Sequence, residues 1–198
     1  MISREKALEI LHQNMQNQNL RRHCYAVEAV MWALAKKLGG DQEKWGIVGL
    51  LHDGDYEKTK DKPEEHTLLM HEWLQELGET DQEILEAILS HNYEHTGKPA
   101  SPKTSLGGNQ PKNRLEWSLY CCDELTGFIV ACALVMPDKK LSSVKVDSVL
   151  KKMKDKSFAA AVKREQIALC QEKLGIPLEE FVKIALEAMQ GISGELGL

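Results

Sequence analysis

The chain has 198 residues, of which 42% are hydrophobic and 28% charged, and its formal net charge at pH 7 is -5. These values are typical of one globular domain with a substantial core, and the negative charge gives no support to binding of a nucleic-acid polymer. No segment resembles a membrane span or a signal peptide, so we expect no membrane association. The five cysteines include no CxxC pair, which argues against a disulfide framework or a zinc knuckle and favours a cytoplasmic location.

Helical periodicity predominates in the first half of the chain, without the alternation typical of strands. Short polar residues that can cap helix N-termini, and glycines that end helices, mark the expected boundaries. The predicted helices are one that starts after Ser3, one from near Leu20 to Gly39, one from Asp41 to Gly54, one with Pro63 in its first turn that Gly78 closes, and one that starts at Thr80 or Asp81.

The second half begins with a segment from Gly97 to Asn113 that has no periodicity. A loop of this length in a compact domain is usually a functional lid or a mobile segment. Helices are then predicted from about Arg114 to Pro137 and near Ser142–Met153, Ser157–Leu174 and Pro177–Gln190, with a frayed tail from Gly191. The sequence therefore predicts an all-α fold, a single helical bundle that spans residues 1–198.

Side chains of the types that bind metals occur within or at the end of these apolar helical patterns. They are His23, His52, Asp53 and Asp123. Burying such groups unpaired is costly, and one divalent ion would satisfy all of them. They belong to three separate predicted helices, which a bundle can bring together at its centre. The adjacent pair His52-Asp53 can reach one ion only near a helix end, where Gly54 lets the chain turn.

The ordered set of His, then His-Asp, then Asp resembles the HD-domain superfamily of metal-dependent phosphohydrolases. The resemblance depends on the motifs LRRHCYAVEAVM, GLLHDGDYEK and CCDELTG. The segments ILSHNYEHTG and VKVDSVLKKMKDKSFAAAVKRE are also similar to a subgroup of small, single-domain predicted hydrolases. The resemblance implies an HD-type bundle with its core motifs at 20–135, C-terminal helices at 140–190 packed on that core, and a central metal ion held by the four residues.

Two further histidines, His66 and His91, leave the number of ions open. Family members with two metals use additional histidines in these intervals, and the aspartate of the pair bridges both ions. His66 and His91 match such positions better than His71 does. The alternative is a single ion, with both histidines supporting its ligands or binding phosphate. The donor set does not distinguish Mn, Fe, Ni, Co, Zn or Mg.

The activity implied by the resemblance is hydrolysis of a small phosphorylated metabolite or nucleotide by attack of a metal-bound hydroxide. Asp53 could also orient the attacking water, and Asp55 is a candidate general base because it follows the pair closely. Lys58 is a candidate contact for the phosphate charge.

Other residues offer the same chemistry with less support. Glu57 and Glu124 are further candidate general bases, and the basic stretch from Lys139 to Arg164 contains further candidate phosphate contacts. Two other functions remain open at this point: a di-iron oxygenase of the same fold, and a non-catalytic module that binds a nucleotide or a metal and signals to a partner. The oligomeric state is also open.

Overall fold

The computed structural model describes residues 1–96 and 110–198, and within these ranges every regular element is a helix. The helices are α1 (Arg4–Asn14), α2 (Gln18–Leu38), α3 (Gln42–Leu51), α4 (Tyr56–Thr59), α5 (Leu68–Glu76), α6 (Gln82–His91), α7 (Tyr93–Thr96), α8 (Arg114–Leu134), α9 (Val146–Met153), α10 (Arg164–Leu174), α11 (Leu178–Gly191) and α12 (Ser193–Leu196), with a 3-10 turn at Leu141–Ser143. The all-α prediction is confirmed. Most of the predicted loop 97–113, at 97–109, lies outside the described residues.

The helix boundaries predicted from capping residues are confirmed at several positions. Each predicted N-cap side chain accepts a hydrogen bond from a first-turn backbone N–H: Ser3 from Lys6, Asp41 from Lys44, and Asp81 from Glu83. Gly39 ends α2 in the left-handed conformation, with a φ of 74° that favours glycine.

The core is built around α2, which packs along α3 and α8, while α6 and α10 also pack on α8. Gly49 lies at the closest approach of α2 and α3, where a Cβ would stand 2.9 Å from the Cα of Glu28. Only glycine allows the two backbones to come this close. The helices that carry the predicted metal ligands are therefore in direct contact with one another.

The segment before α5 differs from its prediction. Pro63 does not lie in the first turn of a helix, because residues 63–67 form turns and α5 begins at Leu68. Thr67 has a φ of 70°, which is strained for a β-branched residue and separates the turns from the helix. His66 therefore lies in a turn, and not on the same helix as His71.

Two C-terminal predictions were also wrong. The helix predicted from Ser157 begins only at Arg164, whose guanidinium donates hydrogen bonds to carbonyls of the preceding turns, among them those of Asp155 and Val162. These bonds replace the ones that a continuous helix would have made. The tail is not frayed, because α12 forms and Leu196 is buried in the core.

One helix of the described residues, α8, is long and apolar enough to cross a membrane by length and composition alone. No such helix was predicted from the sequence. Most of this helix is buried inside the protein, as in the core helix of a soluble protein.

Candidate metal centre

The predicted ligands converge at the centre of the bundle. His23 lies on α2, His52 follows the last residue of α3, and Asp123 lies on α8. The His23 Nε2 atom is 3.3 Å from the His52 Nε2 atom and 2.8 Å from Asp123 Oδ1, and the His52 Nε2 atom is 3.5 Å from that oxygen. Donors that share an ion at about 2.1 Å are separated by about 3.0 to 3.4 Å in octahedral or tetrahedral geometry. The three side chains therefore have the spacing of metal ligands.

Asp53 faces this cluster with one carboxylate oxygen and a second group of histidines with the other. Its Oδ2 atom is 3.7 Å from the Nε2 atoms of both His23 and His52. Its Oδ1 atom is 3.1 Å from the His66 Nε2 atom and 3.4 Å from the His91 Nε2 atom. All six residues predicted as metal ligands are thus brought together, with Asp53 between the two groups.

Hydrogen bonds behind the cluster fix which nitrogen of each imidazole is available. The His52 Nδ1 atom is 2.8 Å from the carbonyl oxygen of Gly49, which can only accept, so Nδ1 carries the proton. The Thr126 hydroxyl donates to the Asp123 carbonyl and lies 3.4 Å from the His23 Nδ1 atom, from which it can accept. Both arrangements point Nε2 toward the cluster, as the nitrogen that a metal ion would use.

His66 is held from both sides. Its Nδ1 atom is 2.7 Å from Asp55 Oδ1, and the amide of Asn92 donates to its carbonyl oxygen at 3.2 Å. Asp55 is fully buried and also accepts from the backbone N–H of Met70. The structure therefore places Asp55 behind His66, as a group that orients the imidazole, and gives no support to its predicted role as a general base.

The electrostatics of the protein without a metal favour a cation at this position. Burial lowers the pKa of His23, but the hydrogen bond to Asp123 and the charge of that residue raise it to about 9. Burial also lowers the pKa of His66, but hydrogen bonds to Asp53 and Asp55 raise it to about 10. Burial raises the pKa of Asp53, yet its electrostatic interaction with His52 and hydrogen bonds from the imidazoles of His66 and His91 hold it well below its usual range.

The chemistry of the clustered side chains, imidazole nitrogens and carboxylate oxygens, fits a divalent metal, and one buried nitrogen beside them has no partner. The Nδ1 atom of His91 is buried and has no hydrogen-bond partner among the described residues; the nearest carboxylate oxygen, Asp123 Oδ2, is 3.9 Å away. A buried polar atom of this kind is costly unless another group satisfies it. Two sets of donor atoms can each surround one ion: His23, His52 and Asp123, and His52, Asp53 and His91.

A cavity of about 460 Å³ opens onto the cluster. Besides predicted metal ligands, its described lining includes Tyr56, Glu94, Tyr120, Glu124, Lys163 and Gln166. Of these residues, only Glu124 was predicted individually as a candidate. Glu94 and Tyr120 each lie three positions from a predicted ligand, a spacing of one helical turn that could have drawn attention to them.

Two predicted residues point away from this cavity. The Lys58 ammonium is 2.7 Å from the Asn14 side-chain oxygen and 4.7 Å from the centre of the Trp73 ring. The prediction that Lys58 contacts phosphate therefore finds no support in its position. Glu57 accepts hydrogen bonds from backbone N–H groups at the start of α2, and neither residue is among the described lining of the cavity.

The structure explains the glycine at position 54 by packing, and not by the chain turn that was predicted to need it. Its φ is not in the left-handed region. A Cβ at this position would stand 2.7 Å from the sulfur of Met70 and 3.2 Å from the carbonyl oxygen of Leu51. Glycine is therefore favoured here by close packing beneath the cluster.

The structure is thus an all-helical bundle with a candidate metal-binding His/Asp cluster at its centre. The comparison with known families agrees with this description: the HD domain matches residues 20–126, more than half of the chain. The chain belongs to the HD domain family, whose members are generally metal-dependent phosphohydrolases. No curated protein and no solved structure matches the chain.

Proposed function

We propose that this protein is a metal-dependent hydrolase of a small phosphate ester or nucleotide. The observation that carries the proposal is the position of Asp53, whose two oxygens face two groups of histidines at the floor of one cavity. Divalent ions bound there would acidify a coordinated water and neutralise the charge of phosphoryl oxygens. The cavity volume of about 460 Å³ suits a small ligand.

The protein side chains would then have distinct roles. His23, His52, Asp53 and Asp123 would hold one ion, and His66 and His91, with Asp53, would hold a second. Asp53 is thereby fixed in orientation from both sides, so that it can direct a water toward the phosphorus. Asp55 keeps the Nε2 atom of His66 aimed at the cluster.

Glu124 is our candidate for the general base. It lines the cavity next to Asp123, and its Oε2 atom accepts a hydrogen bond from the backbone N–H of Lys163. Burial and the charge of Asp123 both raise its pKa above the usual value. A raised pKa makes a carboxylate a stronger base toward the proton of a water molecule.

The test is release of inorganic phosphate from a panel of sugar phosphates and nucleoside mono-, di- and triphosphates. Metal-free protein is reloaded with Mn, Fe, Ni, Co, Zn or Mg, one at a time. We expect metal-dependent release that is lost in His52→Gln and Asp53→Asn, and kept in His12→Gln, a matched control on the surface next to Tyr25. Full activity in both cluster variants would refute the proposal.

The same preparation distinguishes the two other functions. A di-iron oxygenase would contain two iron ions and consume oxygen with a non-phosphorylated substrate, which the pairing of His66 and His91 with Asp53 Oδ1 would permit. A non-catalytic module would bind metal and nucleotide without turnover of any ester in the panel. Elemental analysis, oxygen uptake and phosphate release therefore separate the three.

A further inference from the structure

Among the described residues that line the cavity, Lys163 is the one lysine or arginine. It belongs to the basic stretch that the sequence analysis singled out, and it immediately precedes α10. Its backbone N–H donates to Glu124 at 3.1 Å, which anchors it beside the ligand Asp123. The amide of Gln166 donates to the backbone carbonyl of Tyr120 at 2.6 Å, and this bond fixes the start of α10 on α8.

The Lys163 ammonium is paired with Glu94 across the cavity, at 3.1 Å. Both side chains are about half exposed, 52% and 45% respectively, and ion pairs of this exposure are weak and easily exchanged. The Tyr120 hydroxyl donates to the other oxygen of Glu94 at 2.8 Å. Glu94 therefore keeps a partner when the ammonium leaves it.

We propose that the Lys163 ammonium binds the phosphate group of a ligand in the cavity. In the absence of phosphate, the Glu94 carboxylate binds the same ammonium. A carboxylate and a phosphate oxygen make the same charge-assisted contact with an ammonium, so the two compete for it. Lysine suits this exchange because its long side chain carries a mobile point charge. The inference deepens the proposed hydrolase function by naming a phosphate-binding residue and its internal competitor.

The two partners give opposite predictions. Lys163→Gln removes the cation and should weaken binding of inorganic phosphate to the metal-loaded protein by about fivefold to tenfold, since a charge-assisted contact in a partly open site is lost. Glu94→Gln removes the competitor and should strengthen phosphate binding by about twofold to fivefold. In Glu94→Gln/Lys163→Gln, the gain should disappear, because it acts through Lys163.

Binding is measured by isothermal titration with inorganic phosphate, and folding of each variant by circular dichroism. Lys156→Gln is the matched control: it removes the same charge from the same basic stretch, at an exposed position outside the described lining of the cavity. Lys156→Gln should bind phosphate like the unmodified protein. Lys163→Arg, which keeps the charge, should restore most of the affinity.

Unchanged phosphate affinity in Lys163→Gln would overturn the inference, and so would a gain in Glu94→Gln that persists without Lys163. Failure of the hydrolase proposal is a separate result. If no ester is hydrolysed while Lys163→Gln still weakens phosphate binding, the anion site stands and the hydrolase function falls. If hydrolysis occurs and Lys163→Gln binds phosphate normally, only the inference is lost.

Discussion

The contact between α2 and α3 at Gly49 can be tested with one methyl group. A Cβ at Gly49 would lie 2.9 Å from the Cα and 3.0 Å from the backbone nitrogen of Glu28, well inside ordinary van der Waals distance. The obstacle is backbone, so no side chain can rotate away. Gly49→Ala must therefore push the two helices apart.

The magnitude follows from two opposing effects. Overpacking of this kind costs about 1–3 kcal/mol, with a backbone clash toward the upper end. Alanine recovers about 1 kcal/mol from its better helix propensity. We expect Gly49→Ala to lower the free energy of unfolding by about 1–2 kcal/mol, which corresponds to about 2–8 °C in melting temperature for a chain of this size.

Gly127 on α8 provides the matched control, because it is exposed and a Cβ there would meet nothing within 4 Å. Gly127→Ala should raise the free energy of unfolding by about 1 kcal/mol through helix propensity alone. Thermal and chemical unfolding followed by circular dichroism measure both variants. If Gly49→Ala is as stable as Gly127→Ala, the close approach of α2 and α3 is wrong.

Gly49→Ala should also affect the candidate metal centre. Gly49 supplies the carbonyl oxygen that fixes His52, and α2 carries His23, whose Nε2 atom is 3.3 Å from that of His52. Separating the helices would separate these two donors. Gly49→Ala should therefore also weaken metal binding, whereas Gly127→Ala should leave it unchanged.

Three further predictions concern the site and its surroundings. Asp55→Asn should weaken metal binding at His66 by about tenfold to a hundredfold, because the imidazole loses the carboxylate that orients it. Asp61→Asn, at an exposed position, should leave metal binding unchanged. Calorimetric titration with Mn²⁺ measures both variants. Chelation with EDTA should lower the melting temperature, and readdition of metal should restore it in a concentration-dependent way, because bound metal stabilises only the folded state; identical melting curves would contradict a metal centre. Burial raises the pKa of Glu79, but hydrogen bonds from the backbone N–H groups of Asp81 and Ile2 hold this pKa below its usual value. The ionised Glu79 side chain therefore stabilises the fold above about pH 4.5, and this stabilisation is lost as the pH falls through the lowered pKa. Glu79→Gln should thus reduce stability at pH 7 by about 1–2 kcal/mol and flatten the loss of stability between about pH 5 and 3, as measured by urea unfolding.

Local sequence signals were sufficient for the features that depend on neighbours along the chain. The side chains of Ser3, Asp41 and Asp81 cap their helices because an N-cap bond spans only two or three residues. The end of α3 next to His52 follows from the same kind of local pattern. The order and spacing of the ligand motifs likewise identified the cluster.

Features that depend on tertiary contacts were not predictable in this way. The helix expected from Pro63 fails because Thr67 adopts a left-handed φ, and nothing in its residue type indicates that conformation. Lys58 follows the His-Asp pair closely, yet its ammonium contacts Asn14 on α1. Lys163 is 39 positions from Glu124 along the chain, yet its backbone is bonded to that side chain.

The central position of Asp53 combines both kinds of cause. In a continuous helix, adjacent side chains point about 100° apart, so His52 and Asp53 would face different partners. Here α3 ends at Leu51; His52 keeps helical torsions, with φ -51° and ψ -39°, and residues 52–55 turn away from the helix axis. That turn leaves both side chains at the cluster, and the fold then brings His66 and His91 to the free oxygen of Asp53. The local sequence thus places the Asp53 carboxylate at the end of α3, and the packing of distant segments brings histidines to both of its oxygens.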